Sequence, residues 1–227
     1  MSITIFRASL MTIFAVLFSL VAYAEKDPWP ETTADGLKRI YMPDFAVAYV
    51  KPGANPKHYS QLIIQKPVVR FMKDKEGDEK WATDNLSGLP APEEILRVRT
   101  AISEKFNEIL TKKMVAAGYD LVDKPAEGVL LLRPALINLQ LISSETQGTG
   151  KVTLYLEMFN SVTGERLSEG WDMKQSHVTD NGLADWAKKA NWDMAIKDFD
   201  EWAETMANGL VKMKEQAIPF EPGVAYY

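Results

Sequence analysis

The hydrophobic pattern changes period several times along the chain, and each change marks an element. Phe45-Ala46-Val47-Ala48-Tyr49-Val50 is an apolar run closed by Lys51-Pro52-Gly53, a turn in which proline fixes φ and glycine accepts a positive φ, so a first strand is predicted there. Leu62 to Met72 predicts a second strand, and Pro67 inside it has no N–H for a ladder, which places the strand at a sheet edge or makes it bulge. Lys73 to Ala91 is polar and reads as a long exposed loop.

From Pro92 the period becomes helical. Ile95, Val98, Ile102, Phe106, Ile109 and Leu110 share a face, Glu93 and Glu94 sit near the positive end of the dipole, and Gly118 supplies a stop. Tyr119 to Asp123 predicts a short strand, and Val129 to Leu141 a longer one, central in its first half and bulged at Pro134. Val152, Leu154, Leu156 and Met158 alternate with Thr153, Tyr155 and Glu157, the signature of a strand with one wetter face. Asn160 to Gly164 then predicts a hairpin turn with a return strand over Glu165 to Gln175. Leu183, Trp186, Ala187 and Ala190 form one stripe. Phe199, Trp202, Met206, Leu210 and Met213 form another, out of phase with it, so two helical pieces with a break near Asn191 are expected.

This order of elements predicts an α+β fold of two layers: a mixed β-sheet of about six strands with two long helices packed mainly on one face. A single domain is expected over residues 44–216, preceded by an irregular arm over 25–43 and followed by an extended tail over 217–227.

Residues 1–24 change the picture. One arginine, then an apolar stretch from Ala8 to Val21, then Ala22-Tyr23-Ala24 with small residues at the −3 and −1 positions make a secretory signal peptide, cleaved between Ala24 and Glu25. The stretch is shorter than the roughly 20 residues that span a bilayer comfortably. No second apolar run follows, so no transmembrane span is expected after cleavage. A periplasmic address, with a possible outer-membrane association, makes ATP-driven and reduced-nicotinamide chemistry poor candidates, because those cofactors are not maintained outside the cytoplasm.

Charge and atom inventory narrow the chemistry further. Of the 227 residues, 26 are Lys or Arg and 31 are Asp or Glu, a net charge of −5 that opposes nucleic-acid binding. With no Cys, the chain cannot carry a disulfide, a thiolate metal site, a cysteine nucleophile or a lipid anchor on cysteine. His58 and His177 are the only imidazoles, and neither has a second histidine at ligand spacing. His177 with Asp180 and Ser176 has the residue types of a triad but no nucleophile-elbow motif. Gly148-Thr149-Gly150-Lys151 is half a phosphate loop, with Glu145 and Val152 where the pattern needs Gly and Ser or Thr, and a glycine turn feeding a strand is the better reading. Asp74 to Glu79 lacks the spacing of a calcium loop and is broken by Lys75. Asp193, Asp198, Asp200, Glu201 and Glu204 read as the wet face of the final helix. No catalytic residue, metal or cofactor is therefore expected.

Several islands carry a family resemblance. Asp35-Gly36-Leu37, Tyr49-Val50-Lys51-Pro52-Gly53-Ala54, Ala117-Gly118-Tyr119 through Val122-Asp123, Asn160-Ser161-Val162-Thr163-Gly164-Glu165, and Trp192-Asp193 followed by Asp198 to Ala203 resemble the bacterial envelope family known as domain of unknown function 3313. The resemblance runs from about Asp35 to Met213. It implies an outer-envelope protein, with many relatives resembling lipoproteins, and it carries no catalytic residues. This chain departs from that pattern in having no cysteine to acylate.

The resulting expectation is a non-enzymatic periplasmic or outer-envelope-associated protein whose partner is another envelope protein, met through a sheet edge and a surface at Leu183 and Trp186. Trp202, in phase with the apolar stripe, is expected in the core. The alternative is a small-molecule or lipid carrier, which needs an apolar cavity between sheet and helices. The third reading, a hydrolase, needs His58 or His177 to converge with carboxylates in one cleft.

Overall fold

The structure is a computed structural model that describes residues 28–42, 45–73, 77, 79–80, 92–140, 149–177 and 184–216. The leader with Ala22, Ala24 and Glu25, the position of Leu183 and the tail over 217–227 lie outside these residues, and Trp186 is described only by its helical backbone.

The chain forms an α+β fold with two helices and one mixed, unclosed sheet. The strands are β1 (Lys38–Ile40), β2 (Val47–Val50), β3 (Gln61–Ile64), β4 (Val68–Lys73), β5 (Glu79–Lys80), β6 (Asp120–Leu121), β7 (Val129–Gln140), β8 (Thr149–Asn160) and β9 (Arg166–His177); the helices are α1 (Pro92–Ala116) and α2 (Ala184–Gln216). The main path across the sheet runs β1-β2-β9-β8-β7-β3-β6, with β4 also beside β7 and β5 beside β4.

The strand number exceeds the expected six for physical reasons that can be named. Lys38–Ile40 pairs antiparallel with β2, so the ordered fold begins inside the arm that was expected to be irregular. The expected second strand is two. β3 pairs with β7 through Ile64 and Leu132, and β4 resumes at Val68 and Ala135, leaving Gln65 to Pro67 as a gap. The amide of Gln65 donates to the Leu132 carbonyl, so even-numbered β7 residues face this flank, and the N–H that Pro134 lacks falls opposite the gap. Pro134 therefore stays in register with Leu156, and the β7 irregularity sits instead between Ile137 and Gln140, where Asn138 has φ 52°. Part of the expected loop after Met72 forms β5, whose Lys80 pairs with Met72.

The helix that begins at Pro92 ends at Ala116, and Gly118 takes φ 83° just beyond it. The expected break near Asn191 is absent: α2 is continuous across it, and Trp192 packs at the rim of the core although the second stripe carries most of the buried contact. The β8–β9 hairpin turns on Asn160, whose side-chain oxygen accepts from the amides of Val162 and Thr163 at 3.0 Å each, with Gly164 at φ 69°.

Both helices cover the same face of the sheet. Ile102, Phe106, Leu110 and Met114 of α1 and Phe199, Trp202, Ala203, Met206 and Leu210 of α2 pack on Leu62, Leu132, Leu136, Leu154 and Leu156. The Phe106 ring lies 5.1 Å from that of Phe199 and 6.5 Å from that of Trp202. Burying an aromatic of this kind contributes on the order of 3 kcal/mol. At the rim Lys113 bridges to Asp200 and Glu204, tying α1 to α2.

Candidate interface on the open face of the sheet

Strand alternation sends the odd-numbered residues of β7 as far as Ile137, those of β8, and Glu169, Trp171 and Met173 of β9 to the face without helices; beyond the irregularity at Asn138 the parity changes and Leu139 joins the core. The registers line these residues up across five strands. Val68, Ala135, Tyr155, Trp171 and Val47 are successive cross-strand partners, one apolar row from β4 to β2. The neighbouring row, Arg133, Glu157, Glu169, Tyr49 and Arg39, is mostly charged. On the other side lie Ile137, Thr153 and Met173, the last 53% exposed.

The apolar row is aromatic at its centre. Tyr155 stacks on Trp171 with centroids 4.7 Å apart, Tyr49 meets Trp171 edge-on at 6.1 Å, and Trp29 lies over Trp171 at 5.5 Å. Trp29 comes from the N-terminal arm, which is held down at three points. Leu37 buries against Val47 and Tyr49, the Tyr49 hydroxyl donates to the Pro30 carbonyl at 2.8 Å, and Arg166 grips Asp35 with Nε at 2.8 Å and Nη2 at 2.6 Å.

Arg166 is the electrostatic centre of the charged row. Its Nη1 also donates to Glu157 at 3.1 Å and to Glu169, which is 5% exposed. The Tyr155 hydroxyl donates to the same Glu169 carboxylate at 3.2 Å. Burial pushes the Glu169 carboxyl above its ordinary range even though Arg166 pulls it down, and the hydrogen bond from Arg166 holds Asp35 below the usual carboxylate range. Burial and the neighbouring carboxylates push the Tyr155 phenol up, so it stays a neutral donor.

The other candidates from the sequence do not come together. His58 is the last residue of a 3-10 turn at the end of the sheet where Asn160 donates to the Tyr59 hydroxyl, whereas the backbone of His177 pairs with Thr149 at the far end of the hairpin. The 12 residues of β8 separate these two ends of the sheet by about 35 Å. Thr149-Gly150-Lys151 starts β8 and is strand. Asp193, Asp200, Glu201 and Glu204 are exposed on α2, while Asp198 is half-buried and its carboxyl is pushed up by that burial. No group of ligands that could hold a metal occurs among the described residues. Trp202 lies in the core as expected. Sequence reasoning missed Trp171: the alternation around Tyr155 was visible, but only the register of the hairpin places an indole opposite that ring.

Between β2, β9 and α2 there is an apolar cavity of about 40 Å³ lined by Met42, Ala48, Met158, Gly170, Met206 and Gly209. A benzene-sized ligand occupies a cavity of about 150 Å³, so this space is a packing defect by comparison.

A two-layer α+β domain whose helix-free sheet face carries an aromatic row, partly covered by the N-terminal arm, is the class of protein that the geometry defines. The chain belongs to the family described as "Protein of unknown function (DUF3313)", whose model matches residues 41–206. No curated protein matches it. Among solved structures it is similar to protein XCC0632 from Xanthomonas campestris, with 10% identity, 74% of this chain and 94% of that chain covered and a TM-score of 0.44. The PelC dodecamer from Paraburkholderia phytofirmans has 10% identity, 70% and 94% coverage and a TM-score of 0.40. A minor lipoprotein from Acinetobacter baumannii has 11% identity, 67% and 93% coverage and a TM-score of 0.40. None of these likenesses assigns a role to this chain. No helix among the described residues is long and apolar enough to cross a membrane.

Proposed function

We propose that this chain is a non-enzymatic, exported envelope protein that works by docking another envelope protein on the bare face of its sheet. The observation that carries this reading is the cross-sheet row Val68, Ala135, Tyr155, Trp171. An antiparallel sheet that faces water on one side alternates to polar residues there, and this face instead sets aliphatic and aromatic side chains in line beside a charged row. Aromatic residues with an adjoining Arg are the composition of interface centres, and the charged row fixes register more than affinity. The carrier alternative has less support, because the apolar cavity between sheet and α2 is only about 40 Å³.

The test is in-cell photocrosslinking with a photoreactive residue at Met173 or Thr153 on the bare face, against a control at Glu108 on α1. A discrete adduct with an envelope protein from the two face positions alone is expected, and it disappears with Trp171→Ala. Equal adducts from Glu108, or substrate turnover by the pure protein, would overturn the reading.

A further inference from the structure

The sheet has a second unfilled position. β2 pairs with β9 only from Ser168 to Trp171, yet β9 continues to His177. Among the described residues no strand lies beside β9 beyond Trp171 on that side. The Lys51 amide donates to the Leu167 carbonyl, so odd-numbered β9 residues turn their backbone groups toward β2. The same alternation aims the N–H and C=O groups of Met173 and Gln175 into the place where β2 would run if it were longer. It is not longer because Phe45 turns away: its amide donates to the Met42 carbonyl and its ring lies on Gly170.

A cleft of about 570 Å³ follows this edge on the helix side, bounded by Phe45, Asp172, Lys174, Glu201, Glu204 and Thr205. Its charge is lopsided. Lys174 pairs with Glu201 at 2.9 Å and Glu204 pairs with Lys113 at 2.8 Å, while Asp172 accepts only a neutral indole N–H in the contacts described, and Asp198 adds a further half-buried carboxyl nearby.

We propose that this edge of β9 takes an extended, basic peptide segment of a partner protein as an added strand, in line with β2 and antiparallel to β9. Unpaired backbone groups supply the ladder, and alternate side chains of the guest point into the acidic cleft, where Lys or Arg is favoured and Glu or Asp repelled. A second copy of this chain is a poor guest, because β9 against β9 would bring two sets of the same carboxylates together. The inference rests on the binding-protein reading but uses a different surface from the aromatic row.

The experiment uses the purified protein and a fluorescein-labelled heptapeptide, Lys-Val-Lys-Thr-Lys-Val-Lys, with the same peptide carrying Glu for Lys as its partner. Anisotropy should show binding of the basic peptide alone, weakened about tenfold by Gln175→Pro, which removes an edge donor without touching the β8 ladder, and several-fold by Glu201→Gln. Amide exchange followed by NMR should show Met173 and Gln175 exchanging fast in the free protein and slowed by the peptide. Far-UV circular dichroism checks that both variants are folded. Binding of both peptides alike, unchanged binding by folded Gln175→Pro, or no protection at those two amides overturns the proposal. Protection of Met173 and Gln175 without peptide, together with a dimer mass, overturns it in favour of self-pairing. Peptide effects confined to Tyr155 and Trp171 would sink this edge and leave the bare-face reading standing.

Discussion

The indole N–H of Trp202 donates to Oδ2 of Asp172 at 2.6 Å, joining the middle of α2 to β9 across the layer boundary. Trp202 is 1% exposed, so this bond fixes how deep the helix sits as well as satisfying the indole. Trp202→Phe should cost about 2–3 kcal/mol, from the lost charge-assisted bond and the lost ring volume. Asp172→Asn should cost less, since an amide oxygen still accepts. A double-mutant cycle in urea checks the pair, and a coupling energy near zero would show that the bond contributes little.

Glu169 and Asp35 face the same guanidinium but should bend the pH–stability curve in opposite directions. The folded-state value of Asp35 is depressed, so its contribution is present above its unfolded value of about 3.9 and disappears as pH falls through the lower folded value. The folded-state value of Glu169 is raised by burial, so its contribution is full below an unfolded value of about 4.3 and disappears as pH rises through the folded value. Glu169→Gln should therefore flatten the loss of stability on raising the pH above about 4.3, and Asp35→Asn should flatten the loss below about 3.9. Urea midpoints measured from pH 3 to pH 7 separate the two.

A methyl group at Gly170 would sit 3.2 Å from Cδ1 of Phe45, 3.4 Å from its Cε1 and 3.4 Å from the Val47 carbonyl. Gly170→Ala should destabilise the fold by about 1–2 kcal/mol through overpacking, and Phe45→Leu in the same chain should recover part of that loss. Thermal melting of the three variants reports it. A neutral Gly170→Ala would mean that Phe45 moves without resistance.

Ser103 is 5% exposed and donates its hydroxyl to the Pro67 carbonyl at 2.6 Å. This is how α1 satisfies the backbone at the gap between β3 and β4. Ser103→Ala should cost about 1–2 kcal/mol by leaving that carbonyl unpaired. Denaturant unfolding of the variant is the measurement, and no change would indicate that water replaces the hydroxyl.

The sequence pattern read the elements well where one physical signal acted alone. The alternation through Val152 to Met158, the Asn160 to Gly164 turn and the stripe from Ile95 to Leu110 are each local, and each reappears as an element of the expected type. It read poorly where two signals competed. Lys38 to Ile40 is too short and mixed to show a strand by itself and becomes one by pairing with β2. The two out-of-phase stripes of α2 suggested a break, but the helix runs on through both because its sheet-facing contact is made by Phe199, Trp202 and Met206. The candidate interface was half visible. Tyr155 stood on a face that the alternation had already marked, whereas Trp171, Val68 and Ala135 join it only through the registers of non-adjacent strands, which no window along the chain contains.

Arg166 holds Asp35 across 131 positions of sequence. A ribosome releases the arm long before it releases that guanidinium, so the clamp on the arm cannot close until the second strand of the hairpin is made. A polypeptide halted anywhere short of Arg166 lacks the clamp on Asp35 and the indole beneath Trp29, and what it presents to the outside is an unfinished platform. Completion of this surface is thereby tied to synthesis of the hairpin's second half, and a truncated product lacks the indole at the centre of the aromatic row.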